Sequence, residues 1–173
     1  MKKLPQAMFV VGDKTVNCPK TAAAIAKKSG GNVKFLIAGK KFKKQAEAME
    51  ALADATESFV STFADPIVCE KTGTITVAGQ KACCPDTATK TSKSLKVAMS
   101  KVKMSYVVGD KRCGCPNKAE QIAKDTGKAT EFVVGEVKTP CNIMARIHLA
   151  RAKYKAAVES LVQTDVKPAS TDS

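Results

Sequence analysis

The sequence predicts an α+β fold made of internally duplicated β-hairpin–α-helix (ββα) units, with antiparallel sheets and helices packed on them. Three observations predict it. First, one stretch is written twice, 97 residues apart: Phe9-Val10-Val11-Gly12-Asp13-Lys14 returns as Tyr106-Val107-Val108-Gly109-Asp110-Lys111, Cys18-Pro19 as Cys115-Pro116, and Gly30 as Gly127. Second, each copy opens with a β-branched and aromatic run followed by Gly-Asp. That is strand chemistry leading into a tight turn. Third, Cys-Pro in each copy precedes a run rich in Ala, Ile and Lys. Proline is tolerated at the first helical position, so the cysteine before it falls at the N-cap.

The elements follow in order. After a basic lead-in, the first unit carries a helix from Pro19 to about Ser29, with Gly30 as its stop. The second has a strand over Val33–Ala38, a turn at Gly39-Lys40 and a helix from about Lys43 to Phe63. There Ala48, Leu52, Ala55, Phe59 and Phe63 recur at spacings of three and four, one buried stripe. A central unit has a strand over Ile75–Ala78, a turn at Gly79, and Cys83-Cys84-Pro85 opening a helix to about Lys101. Its first turns, Asp86 to Ser92, are poor helix formers, so a late start is expected. The fourth and fifth units copy the first two. The last helix runs from about Asn142 to Val162, with Ile143, Ile147, Ala150, Tyr154, Ala157 and Leu161 on its apolar face. The domain reading is residues 1–66 as a first half, 67–102 as a cysteine-rich centre, 103–163 as the second half (repeating 8–60), and 164–173 as a disordered polar tail.

Lys and Arg number 29 against 16 acids, a net charge of +13. Such a surplus reads first as a solvated basic surface that keeps the chain soluble, and second as an attraction for an acidic protein or a polyanion. Sequence-specific nucleic-acid readers use arginine forks and stacked aromatics. Here arginine occurs only at Arg112, Arg146 and Arg151 and aromatics are 5% of the chain, so sequence-specific nucleic-acid binding is not expected. No apolar run is long enough to span a membrane. Met1-Lys2-Lys3 matches the start of an export signal, but Pro5-Gln6-Ala7 stands where its apolar core belongs. The compartment therefore stays open: periplasmic or extracellular if a signal peptide was removed, otherwise cytoplasmic.

Chemistry concentrates in seven cysteines: Cys18, Cys69, Cys83, Cys84, Cys113, Cys115 and Cys141. Cys18, Cys84, Cys115 and Cys141 each stand just before a helix, whose positive end favours a thiolate. Thiolates there suit metal ligation or redox work; a small residue that merely packs well at the junction is the alternative. Cys113-Gly114-Cys115 puts two sulfurs on one face if both lie on a strand, and Cys141 from the next unit offers a third. Three thiolates suit Zn or Cu(I). Disulfides are the rival use, with Cys69 bridging back to Cys83 or Cys84.

The central stretch also carries a resemblance. Asp65-Pro66-Ile67-Val68-Cys69, a glycine-turn hairpin and then Cys83-Cys84-Pro85 resemble the YHS/TRASH heavy-metal-binding cysteine modules over about residues 65–90. The resemblance implies a role in metal sensing, trafficking or resistance. The further helix cysteine of those modules would fall near Asp86 or Thr87.

Other chemistries lack their residues. His148, the sole histidine, lies seven residues from Cys141 on one helix, about 10 Å along its axis. Neither a Walker pattern nor a dinucleotide glycine fingerprint occurs. The expected function is a non-enzymatic, cysteine-thiolate metal-binding protein. The alternatives are a disulfide-stabilised interaction protein with a basic surface and, third, a thiol redox protein using a helix-start cysteine such as Cys18 or Cys115.

Overall fold

A computed structural model describes residues 3–165, with side chains described to residue 162. The fold is α+β, as the sequence predicts. Among the described residues the order is β1 (Met8–Val11), β2 (Lys14–Val16), α1 (Pro19–Ser29), β3 (Lys34–Ile37), β4 (Lys40–Phe42), α2 (Gln45–Phe63), β5 (Ile67–Val68), β6 (Ile75–Val77), β7 (Gln80–Ala82), α3 (Pro85–Lys101), β8 (Met104–Val108), β9 (Lys111–Cys113), α4 (Pro116–Thr126), β10 (Thr130–Val134), β11 (Val137–Thr139) and α5 (Asn142–Asp165). The polar tail expected from 164 begins within α5 and otherwise lies outside the described residues.

Hairpins form where the turn residues allow them. Gly12 takes φ +58° between β1 and β2, and Gly109 takes +60° between β8 and β9. Glycine takes this left-handed backbone at no steric cost. The second hairpin turns at Ala38-Gly39, one residue earlier than expected, and the central one at Ala78-Gly79. Both residues of each pair have positive φ: 46° and 83° in the first, 53° and 82° in the second. The two-residue loop needs that hand to match strand twist, so an alanine is held in the left-handed region at each site.

The hairpins assemble into three antiparallel sheets, ordered β2-β1-β3-β4, β11-β10-β8-β9 and β5-β6-β7. The first two share their register at the repeat offset: Phe9 faces Phe35 and Tyr106 faces Phe132. The ring centroids of these pairs stand 5.6 and 5.7 Å apart. Strand β5, two exposed residues long, carries too little pattern to be read from sequence.

Each helix starts in one way. The carbonyl of the residue just before it accepts a bond from the N–H of an alanine four residues on: Cys18–Ala22, Lys44–Ala48, Cys84–Ala88, Cys115–Ala119 and Cys141–Ala145, at 3.0–3.2 Å. All five alanines are at most 2% exposed. α1 and α4 end on Gly30 and Gly127 in the left-handed conformation, as expected. α3 starts at Pro85 rather than late. Burial of Ala88, Ser92, Leu95 and Met99 outweighs the poor propensity of its first turns. In α2 the buried residues are Ala48, Leu52, Ala53, Thr56, Val60 and Phe63, while Ala55 and Phe59 of the expected stripe are half-buried. The buried face spans two adjacent ridges rather than one row. Thr56 satisfies its buried hydroxyl by donating to the Leu52 carbonyl at 2.6 Å.

The chain divides into two compact units, one from Lys3 to Phe59 and one from Val60 onward, the division falling inside α2. In the first, α1 packs on β1 and β2. In the second, α3 packs along α5, α3 covers β6 and β7, and α4 and α5 both lie on the β8–β11 sheet. Leu95, Ile147, Leu161, Val77, Val108 and Val134 fill its core. Phe63 meets Tyr154 edge-on at 4.9 Å, and Ser94 meets Ser160 at 3.2 Å.

Candidate functional site

The hairpin–helix unit delivers cysteine to one structural place. Cys18, Cys84 and Cys115 are N-cap residues with extended backbone and proline directly after them; none uses its sulfur as a conventional cap. Cys141 occupies the equivalent place before α5, and its N–H donates to the Thr139 hydroxyl at 3.2 Å. Cys18 and Cys113 are half-exposed and the other five exposed, so the sulfurs are open to solvent rather than wrapped in hydrocarbon.

A threonine three residues on distinguishes three of these thiols. The Thr87 hydroxyl, then its backbone N–H, hold the Cys84 thiol below its ordinary value, with Cys83 and the Asp86 N–H adding to the effect. The Thr72 hydroxyl and N–H, with the Lys71 N–H, do the same for Cys69. For Cys18 the Thr21 N–H leads, followed by the Thr21 hydroxyl and the Lys20 N–H. Hydrogen bonds to the charged form favour it. Cysteine spacing alone does not single out these threonines; the signal that does is Cys-x-x-Thr, at 18–21, 69–72 and 84–87. Cys115 and Cys141 have Lys118 and Met144 at that position.

One pair of sulfurs comes together. Cys83 ends the central hairpin, Cys84 caps α3, and their Sγ atoms lie 3.8 Å apart. The Thr87 hydroxyl bridges them, 3.2 Å from Cys83 Sγ and 3.3 Å from Cys84 Sγ. Adjacent residues point their side chains oppositely along a strand. They converge here because the chain changes from strand to helix between them.

The other combinations expected from sequence stay apart. Cys113 closes β9 and Cys115 lies beyond it, so the two do not share a strand face; Cys113 Sγ instead points at the Cys115 carbonyl at 3.8 Å. Proline at 116 draws Cys115 out of the strand and into the cap. Cys113, Tyr106, Phe132 and Thr139 form one row across the sheet. Cys141 therefore follows the opposite edge strand, and three strand spacings, about 14 Å, separate the row's ends. Val68, Ile75 and Ala82 form a similar row in the small sheet. Cys69 and Cys83, one step beyond its ends, are thus about 10 Å apart by backbone, past disulfide reach. All seven cysteines are free thiols, and the expected bridge from Cys69 to Cys83 or Cys84 is absent. Among the described residues, no three His, Cys, Asp or Glu side chains gather where they could hold a metal ion.

Among the described residues, no helix is long and apolar enough to cross a membrane. Comparison of the chain with protein-family profiles, curated proteins and solved structures finds no match.

Proposed function

We propose that the protein is a non-enzymatic binder of a soft metal ion, Zn or Cu(I), held by the thiolates of Cys83 and Cys84. The 3.8 Å separation of their sulfurs carries the reading. Two bonds of about 2.3 Å meeting at a tetrahedral angle at zinc span about 3.8 Å between sulfurs. The pair therefore has the spacing of one edge of a tetrahedral thiolate site before any metal enters. Thr87 supports the role by lowering the Cys84 thiol, since only a thiolate binds and a proton competes for it. The resemblance of residues 65–90 to heavy-metal-binding cysteine modules points the same way.

Two ligands leave the remaining positions of a four-coordinate ion open to water, a small thiol or another protein. Such a site suits an ion taken up and passed on, in contrast to the closed four-ligand sites that hold folds together.

Titration of the reduced protein with Zn(II) and with Cu(I), followed by native mass spectrometry, tests the reading. One ion per chain should be retained by the wild type and by C113S, C115S and C141S, and lost in C83S and C84S. Retention of the ion in the C83S/C84S double variant would sink the assignment, as would failure of the wild type to bind either metal.

A further inference from the structure

The two four-stranded sheets share strand order and register, yet their corresponding surfaces differ in charge. In the second sheet Glu131 on β10 and Lys138 on β11 form an ion pair at 2.6 Å. Lys128 lies across the neighbouring turn: a Cβ on Gly109 would meet its Cδ at 2.7 Å and its Nζ at 2.9 Å. There one of the two cations is neutralised by Glu131 and the other, Lys128, covers the turn.

In the first sheet the equivalents, 97 residues earlier, are Lys34 for Glu131, Lys41 for Lys138 and Gly31 for Lys128. The register is the same: Lys34 faces Val10 as Glu131 faces Val107, and Lys41 faces Leu36 as Lys138 faces Val133. The two positions that attract each other in the second sheet are thus both cationic in the first. The covering side chain is gone as well, and a Cβ on Gly12 would meet nothing within 4 Å. The result is a cleft of about 310 Å³ lined by Val10, Gly12, Gly31, Asn32, Lys34 and Lys41. No acidic side chain lines it, and among the described residues neither lysine forms an ion pair.

We propose that this cleft binds a phosphate-type dianion, held between the Lys34 and Lys41 ammonium groups with the Asn32 amide beside them. Like charges on neighbouring strands repel, and a dianion between them is drawn to both. Lysine acts in such sites as a point charge and needs no fixed fork geometry. The glycines at 12 and 31 leave backbone open to the ligand, where any side chain would narrow the cleft. The cleft lies wholly within the Lys3–Phe59 unit, so the proposal is independent of the thiolate site. The anion can arrive as free phosphate or as the phosphate group of a small monoester.

The test is titration of the full chain with inorganic phosphate at constant ionic strength, read by amide shifts in a 15N-labelled sample, with glycerol phosphate in a second arm. Saturable shifts at Gly12, Gly31 and Asn32 are expected. Tighter binding of glycerol phosphate would identify an ester as the natural source, and equal or weaker binding the free ion. K34E, which installs the charge found in the second sheet, should weaken binding about ten-fold or more, and K41Q should weaken it too. Both residues are exposed, so the variants should keep the wild-type amide spectrum elsewhere. E131K should create new phosphate-dependent shifts near Gly109. Shifts that stay linear and match those caused by chloride would overturn the proposal, and so would undiminished phosphate binding by K34E.

Discussion

At the scale of single residues, the thiols differ by what lies three positions on. Cys84 and Thr87 form a local pair across the helix start: the Thr87 hydroxyl stands 3.3 Å from the Cys84 Sγ and favours its charged form. Sequence places cysteine at the helix start correctly, since proline at the first helical position allows little else there. It leaves the threonines unnoticed as long as the helix end is credited as a whole, when two or three directed bonds do the stabilising. The lowered Cys84 thiol loses its proton at a lower pH than an ordinary cysteine, so alkylation there should already be fast below the usual thiol range. T87V removes the first of the lowering bonds, so the half-labelling pH of Cys84 should rise, and bound metal should be released at a higher pH as acid is added. Peptide mapping after timed iodoacetamide labelling measures the first effect; an unchanged profile in T87V would show that Thr87 does not control the thiol.

Among the elements, the recurring device is the alanine at the fourth helical position. Its N–H closes the first helical bond while its methyl is buried where the helix begins. A larger side chain there must push the helix start outward. A145L should destabilise the protein by about 1–3 kcal/mol through overpacking, whereas R151L on the exposed side of α5 should stay within about 0.5 kcal/mol. Chemical denaturation with an unchanged m-value gives both numbers; equal effects of the two substitutions would remove the steric argument. Helix positions were legible because apolar spacing and Cys-Pro marks are local signals. The helix faces were less so: in α2 the most buried positions include Ala53 and Thr56, which no count of large apolar residues would select.

Across the whole molecule, charge outweighs any single contact. With 29 basic and 16 acidic residues, the chain repels itself when compact. Surface ion pairs such as Lys124–Glu120 at 2.8 Å and Lys44–Glu47 at 3.2 Å are well exposed. Such exposed pairs contribute little to stability and are themselves weakened by salt. The basic surplus of 13 remains after every acid is matched, so screening should help more than it harms. Raising sodium chloride from about 0.01 M to about 0.15 M shortens the screening length from about 30 Å to about 8 Å. The melting temperature should rise over that range. A fall, recorded by circular dichroism at fixed pH, would mean that the ion pairs outweigh the general repulsion.

Residue order alone was enough to establish the hairpin–helix units, their caps and the presence of cysteine at helix starts. Each depends on neighbours a few positions away, through φ preference, proline's missing N–H and apolar spacing. Which sulfurs meet was decided only by tertiary structure. Strand order puts β9 and β11 at opposite edges, parting Cys113 from Cys141, while the bend from β7 into α3 brings Cys83 and Cys84 to 3.8 Å. The same holds for Lys34 and Lys41, seven residues apart in sequence: only cross-strand register, a long-range property, places both on one cleft.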